Sequence, residues 1–380
     1  MKILHISSYY IGSKLYKNLF AKLADRGMDQ VVFVPVRKVE HQGVNALSKD
    51  YTTVEYHYPN IIKKYHKVLY FRKIKKQHRV LEEKVALEDI GIMHAHTIFS
   101  DGGTAYRIHQ QYGIPYVVSV RGTDIHHFYK KGIHLRPFMY RVLKEAKTVI
   151  FLSPAYKKYL LSRLPEKIRD EVGEKSVVIP NGIEEHWMVH PPAPKTLSKT
   201  GGAWIFIGLL NERKNVKSIL EALARFHREG KPMKLHLIGT GPEEEDLKKR
   251  CRELDISNFV EFHGFIDDPE KIREMMAKSS LFIMPSHRET FGLVYGEALS
   301  QGLPVIYTRG QGFDGFFEEG EVGYPVNSRD VDSIVEGVRN VLQHYGKLTE
   351  KAAEKAEVFS WDRVADRITS IYGKEAGLRE

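Results

Sequence analysis

Cysteine is all but absent: Cys251 is the only one in 380 residues. One thiol excludes an intrachain disulfide and a multi-cysteine zinc site, and it favours a reducing compartment. No apolar run comes near the ~18–20 residues that a membrane span requires. The opening Ile3-Leu4-His5-Ile6 is too short and too polar for the core of an export signal. These absences give the expectation of a cytoplasmic protein, free or peripheral at the inner face of the cell membrane. No Gly-x4-Gly-Lys-Ser/Thr segment occurs, which removes a P-loop. With 42% hydrophobic and 28% charged residues, the composition also excludes long disorder and a disulfide-stapled scaffold.

What is present is enough chain for about two domains, and a charge that divides unevenly along it. The formal net charge is +10, with 33 Lys+Arg against 18 Asp+Glu in residues 1–200 and 25 against 30 in residues 201–380. A basic half joined to a mildly acidic half points to different partners for the two. Both halves alternate short apolar runs with amphipathic segments, the pattern of a parallel α/β fold. Strands are expected at 2–7, 30–34, 92–95, 116–120, 148–152 and 176–179, then at 203–207, 234–238, 259–262, 280–284 and 304–307. Helices are expected between them, as at 14–26, 103–112, 216–229, 242–254 and 269–278. Between the halves, Pro191, Pro192, Pro194, Gly201 and Gly202 mark a linker, not a core element. Two such sheets joined by a hinge create a cleft, and ligands of parallel sheets bind beyond the carboxyl ends of the strands.

The most specific segment is Met284-Pro285-Ser286-His287-Arg288-Glu289-Thr290-Phe291-Gly292-Leu293-Val294-Tyr295-Gly296-Glu297-Ala298. An apolar strand enters a short polar loop and then a helix, with Glu289 on the loop and Glu297 one to two turns into the helix. Between them, the N–H groups of Phe291, Gly292 and Leu293 are expected to be the unpaired donors of a first helical turn. Such a turn suits a diphosphate, because its fixed dipoles favour negative charge and Gly292 lets the backbone come close. The segment resembles the Glu-x7-Glu motif of the family 4 glycosyltransferases. Three more segments follow in family order: Pro180-Asn181-Gly182, Gly239-Thr240-Gly241 and Phe359-Ser360-Trp361. The resemblance covers nearly the whole chain. It implies the GT-B fold, two Rossmann-like parallel-sheet domains facing a central cleft. Residues 1–188 would bind the acceptor, completed by a returning helix at 361–380. Residues 189–202 would be the linker, and 203–360 would hold the nucleotide sugar.

The activity implied is transfer of a sugar, with retention at the anomeric carbon, from a nucleotide sugar to a glycan or lipid-linked acceptor in polysaccharide or glycolipid biosynthesis. UDP is the first choice of nucleotide and GDP the second, and neither a metal nor another cofactor is required. By the same resemblance Glu289 bonds hydroxyls of the donor sugar, Glu297 the nucleotide ribose, and Gly241 lies near the nucleotide. The leaving diphosphate helps deprotonate the acceptor, so the protein contributes position and stabilisation of developing charge. Relatives often carry Gly-Arg-Leu-x3-Lys to clamp the diphosphate. Here the segment reads Gly208-Leu209-Leu210-Asn211-Glu212-Arg213-Lys214. Lys214 fits the lysine position, Leu209 stands where the arginine belongs, and Arg213 is the candidate replacement because a guanidinium reaches phosphate bidentately. Arg121, in Val120-Arg121-Gly122, stands where many relatives have a histidine near the donor sugar. Arginine stays protonated and cannot act as a base. Two roles are open to Arg121: recognising the sugar's outer edge, a phosphate or a uronic-acid carboxylate, or holding its loop by a salt bridge to Asp124. Gly12 and His96, each following an expected strand, are candidates for the acceptor side.

Some patterns mislead. Asp330-Val331-Asp332 spells a metal-binding pattern of other glycosyltransferase folds, yet capping of the next helix explains it. Gly310, Gly312 and Gly315 have dinucleotide spacing, but Phe313, Phe316 and Phe317 interrupt it, and a flexible loop near the donor sugar is expected instead. Gly239 and Gly241 lack the third glycine of an NAD site. Residues 61–80 hold eight Lys+Arg and no acid, with apolar side chains at helical spacing. That is the pattern of an interfacial helix that draws anionic lipid and buries an apolar stripe, so an anionic membrane surface is an expected partner. The rival readings are a sugar-nucleotide epimerase or phosphorylase of similar fold, or a basic nucleic-acid-binding protein. No recognition motif supports the last, and nucleic acid is not expected as a partner.

Overall fold

Runs such as Tyr-Val-Val-Ser-Val and Thr-Val-Ile-Phe are mostly apolar and buried on both faces, which suits strands covered by helices on both sides of a parallel sheet. The structure, a computed structural model, describes residues 1–189, 195, 197 and 202–377, apart from the side chain of Lys67. The chain forms two compact units. One comprises Met1–Leu152, Lys157–Gly182 and Trp361–Glu380; the other comprises Ser153–Tyr156 and Ile183–Ser360. The expected linker at 189–202 lies mostly outside the described residues, as do 378–380.

The first unit holds β1 (Lys2–Ile6), β2 (Asp29–Phe33), β3 (Val54–His57), β4 (Ile90–Ala95), β5 (Tyr116–Val120), β6 (Thr148–Phe151) and β7 (Ser176–Val178). They form one parallel sheet in the order β3-β2-β1-β4-β5-β6-β7. The second unit holds β8 (Ala203–Ile207), β9 (Lys234–Ile238), β10 (Val260–Phe262), β11 (Leu281–Ile283), β12 (Val305–Thr308) and β13 (Gly323–Val326). Its parallel order is β10-β9-β8-β11-β12-β13. Both sheets are doubly wound and reverse their order of strand addition once, between β1 and β4 and between β8 and β11. The loops that leave the carboxyl ends of those strand pairs diverge to opposite faces and open a crevice, the place where this architecture binds ligands.

The expected strands are present within one or two residues, and two more were not anticipated. β3, Val-Glu-Tyr-His, is a half-buried edge strand with polar side chains in its pattern. β13, Gly-Tyr-Pro-Val, carries two residues that signal turns, yet it lies at a sheet edge, where a proline costs no ladder bond on its open side. Each unit has its own core. In the first, the helix Trp361–Glu375 buries Val364, Ala365, Ile368 and Tyr372 in the cluster that holds Leu19, Phe20 and Leu23 of the helix Lys14–Ala24. Lys22 and Arg26 tie the same two helices through Asp362 and Asp366.

The basic run at 61–80 departs from expectation. Its helix is Tyr70–Lys84, and the apolar stripe of Tyr70, Ile74, Val80 and Leu81, with Gln77 among them, is buried within the first unit against the helix Ser100–Tyr112. A stripe committed to the core cannot also enter a bilayer. What stays exposed is the edge before and at the helix start: Tyr65, Val68, Leu69 and Phe71. Around it stand the exposed Lys63, Lys64 and Arg72. Among the described residues, no helix is long and apolar enough to cross a membrane.

Candidate functional site

In the second unit, the loops after β8 and β11 meet at the topological switch point. After β8, Asn211 accepts the Lys214 N–H through its side chain (3.1 Å) and closes a short turn at Glu212–Lys214. Asn215 follows in the left-handed region (φ 58°), and its amide donates to the carbonyls of Pro285 (3.0 Å) and Ser328 (2.7 Å). This fastening aims Lys214 inward. Its Nζ lies 2.6 Å from Glu289 Oε2, and both residues are buried. The other oxygen of Glu289 accepts the N–H of Thr290 (3.1 Å), while the Glu289 N–H donates to Gln311 Oε1 (3.1 Å). Removing two opposite charges from water is costly unless their geometry is close and further hydrogen bonds satisfy them, and this pair has both.

Gly292 adopts φ 77° at the cap of the helix Leu293–Ser300, a conformation that disfavours any side chain there. The N–H groups of Gly292, Leu293 and the residue after it are the donors that a helix start leaves without intrahelical partners. Phe291 is buried among Phe316 and Phe359, so its side chain is a core anchor for this turn. Packing narrows the surroundings further. A Cβ on Gly241 would stand 2.1 Å from the Leu210 carbonyl oxygen, and one on Gly312 would stand 2.2 Å from that of Thr290. The middle of the 310–315 loop is packed, with Phe313 buried against Tyr295, Tyr307 and Phe359, while Gly310 and Gly315 at its ends are exposed. Gly208 donates its N–H to Ile238 (2.9 Å) and faces the Lys214 stem, where a Cβ would lie 3.5 Å from Lys214 Cε.

Arg213 is exposed, with one long bond to the Arg288 carbonyl (3.4 Å) and no carboxylate partner among the described residues. Leu209, four residues earlier, is 51% exposed. Glu297 is partly exposed, and its carboxyl is raised to about 7, chiefly by burial and then by the charge of Glu184. Asp330 accepts the Asp332 N–H (2.9 Å) at the start of the helix Val331–Gln343, so the Asp-x-Asp pattern caps a helix.

The first unit presents Arg121 at the end of β5. Its guanidinium donates to Asn181 Oδ1 (2.9 Å) and to the His96 carbonyl (3.3 Å), and it lies over the Tyr16 ring at 5.2 Å. The expected alternative of a salt bridge to Asp124 does not occur. Asp124 instead accepts the backbone N–H groups of Arg121 (2.9 Å) and Phe99 (3.3 Å), and burial raises its carboxyl to about 7. Asn181, Tyr16 and the carbonyl of His96 thus orient Arg121, a set that sequence spacing did not reveal. The His96 ring itself is fully buried, with Nε2 3.1 Å from His5 Nδ1, so it offers nothing to solvent here. Gly12 lies exposed in a short turn after β1, with open space where a side chain would stand. Asp101, buried beside this loop, accepts the Ser8 N–H (3.0 Å) and hydroxyl (2.5 Å) and fixes the loop's path.

Replacing Lys214 by Met should leave Glu289 buried without its partner and lower unfolding free energy by about 3 kcal/mol or more. Converting Glu289 to Leu as well should restore part of that loss in denaturant unfolding. Glu297 provides a pH test with a definite sign. Its folded pKa lies above the ordinary 4.5, so the folded state holds the proton more tightly and stability falls as pH rises from that value through about 7. Glu297→Gln should therefore raise stability at pH 8 by about 1–3 kcal/mol and change little near pH 4.

Comparison with known proteins completes the picture. Residues 13–187 match the model of Glycosyltransferase Family 4, and residues 193–359 match that of Glycosyl transferases group 1. The lipopolysaccharide core biosynthesis glycosyltransferase LpsE of Rhizobium meliloti is 30% identical over 166 residues, 44% of this chain and 47% of that protein. The match thus spans about half the length of that relative. Sucrose-phosphate synthase from Thermosynechococcus elongatus superposes with a TM-score of 0.74 at 18% identity over 98% of both chains. HepE from Anabaena, solved with UDP and glucose, superposes with a TM-score of 0.65 at 17% identity over 98% of this chain and 100% of that one. At such identities these structures speak for the fold alone, and that fold is GT-B. With the two family models side by side along nearly all of its length, the chain belongs to the family 4 glycosyltransferases.

Proposed function

We propose that the chain is a retaining, metal-independent glycosyltransferase. It moves a sugar from a nucleotide sugar, UDP-linked before GDP-linked, to a glycan or lipid-linked acceptor in polysaccharide or glycolipid biosynthesis. The observation that carries this reading is the convergence of Lys214 and Glu289, 2.6 Å apart, beside a helix start with unpaired N–H groups. A cation and oriented amides suit a diphosphate; a carboxylate with a second oxygen suits sugar hydroxyls. In this reading Lys214, the exposed Arg213 and the amides of Gly292 and Leu293 hold the diphosphate as negative charge develops on it. Glu289 orients the donor sugar, and Glu297, half-protonated near pH 7, can both accept from and donate to the ribose diol. By the family resemblance, Arg121, held by Asn181, is assigned to recognition of the donor's outer edge. Retention, the role of the leaving diphosphate as base, and independence of metal come from the family resemblance. The complex of the Anabaena neighbour with UDP and glucose supports UDP as the first choice.

The test is a panel of nucleotide sugars with EDTA present. One donor should raise the melting temperature and yield a glycosylated product of unchanged anomeric configuration, and Lys214→Ala should cut kcat/KM about 100-fold or more. No stabilisation by any nucleotide sugar, or an epimerised donor without transfer, would count against the proposal.

The membrane reading is proposed in an altered form, through an exposed edge instead of a helix face. Tyr65, Val68, Leu69 and Phe71 would insert shallowly while the surrounding lysines and arginines meet anionic headgroups. A surface pocket of about 430 Å³ next to Phe71, lined by Arg107, Arg141 and His78, supports this. Neither arginine has a carboxylate partner among the described residues. Cosedimentation with phosphatidylglycerol vesicles should depend on salt and fall at least several-fold in Val68→Ser/Phe71→Ser. Equal sedimentation with neutral vesicles would contradict the claim.

A further inference from the structure

Away from the glycosyl-transfer residues, the second unit brings together two imidazoles and a carboxylate at its sheet edge. β9 and β10 pair in parallel with Glu261 opposite His236, and His263 lies two residues beyond Glu261. Alternation along a strand puts residues two apart on one face, so all three side chains share a face by construction. His236 Nδ1, His263 Nε2 and Glu261 Oε2 form a triangle with sides of 3.1, 3.4 and 3.6 Å. A point about 2.0 Å from all three atoms exists, which is the bond length of Zn²⁺ to histidine nitrogen and carboxylate oxygen.

Hydrogen bonding alone does not account for this convergence. One shared proton serves the two imidazoles at 3.1 Å, but the carboxylate contacts of 3.4 and 3.6 Å exceed the ~2.7–2.9 Å of a charge-assisted bond. Lys234 Nζ approaches the other oxygen, Oε1, at 3.4 Å and leaves Oε2 to the triangle. The three side chains are 16%, 26% and 44% exposed in the order His236, His263, Glu261, which leaves access for an ion and room for water as a further ligand. The first unit offers a contrast. His5, His94 and His96 also cluster, but both ring nitrogens of His94 are engaged, by Tyr372 and by Ser119 (2.8 Å).

We propose that His236, Glu261 and His263 bind one divalent cation of the Zn²⁺ class and thereby staple the edge strand β10 to β9. The ion would brace more than the edge. His263 precedes Gly264, whose carbonyl accepts the Gly239 N–H (2.7 Å), and the 239–241 turn packs on 208–210. The bound ion takes no part in the transfer chemistry proposed above, and the site stands whether or not that proposal holds.

The experiment uses the full chain, stripped with EDTA, desalted and titrated with Zn²⁺ by calorimetry and with Co²⁺ by visible absorbance. The expected result is one equivalent bound at micromolar or tighter affinity, weakened at least tenfold in His263→Ala and in Glu261→Gln. Should either variant fail to fold, Lys234→Ala spares every ligand and removes the ammonium beside the carboxylate, so it should tighten Zn²⁺ binding several-fold. No saturable binding, binding equal to wild type in both ligand variants, or an affinity unmoved by Lys234→Ala would overturn the proposal.

Discussion

The buried contact between Lys214 and Glu289 sets the terms for everything around it. An ammonium and a carboxylate taken largely out of water are tolerable only at close range with their remaining bonding capacity met. Each neighbouring feature serves that need. Asn211 and Asn215 lock the turn that carries Lys214, Gln311 and the Thr290 N–H hold Glu289, and glycines at 241 and 312 let the loops close without side chains between them. The same constraint is what makes the site useful. Charges already positioned and desolvated can stabilise a diphosphate without first reorganising water.

Topology explains why the pair forms where it does. Reversal of strand order between β8 and β11 sends their following loops apart and leaves their starts side by side, so residues 75 positions apart in sequence meet. The first unit repeats the device between β1 and β4. There the loop after β1 is fixed by Asp101, and Arg121, one strand further on, is steadied by Asn181 and the His96 carbonyl. Two sheets wound alike thus offer two different sets of polar groups, one with cation and carboxylate paired, one with a lone guanidinium over a tyrosine ring.

Much of this was legible in the sequence, for physical reasons that also mark where legibility ends. Interior strands such as Tyr116–Val120 are mostly apolar, buried throughout and announce themselves; edge strands need burial on fewer sides, so Val-Glu-Tyr-His and Gly-Tyr-Pro-Val look like loops. The order of motifs pointed to Lys214 and Glu289, but no sequence pattern states that their side chains touch. The 61–80 segment shows the limit most plainly. Periodicity identified an apolar stripe, yet a stripe bound for the protein core and one bound for lipid read alike, and Ile74 and Leu81 went to the core. His236, Glu261 and His263 gave no local signal, because strand register and not spacing brings them together.

The central claim is that the Lys214–Glu289 pair and the helix start beside it form the diphosphate end of a nucleotide-sugar site. A crystal structure of the chain grown with a nucleoside diphosphate tests it most directly. The account predicts density for the diphosphate against the N–H groups of Gly292 and Leu293, within hydrogen-bond reach of Lys214 Nζ, with the ribose towards Glu297. A nucleotide bound elsewhere at full occupancy, with Lys214 and Glu289 untouched, would contradict it.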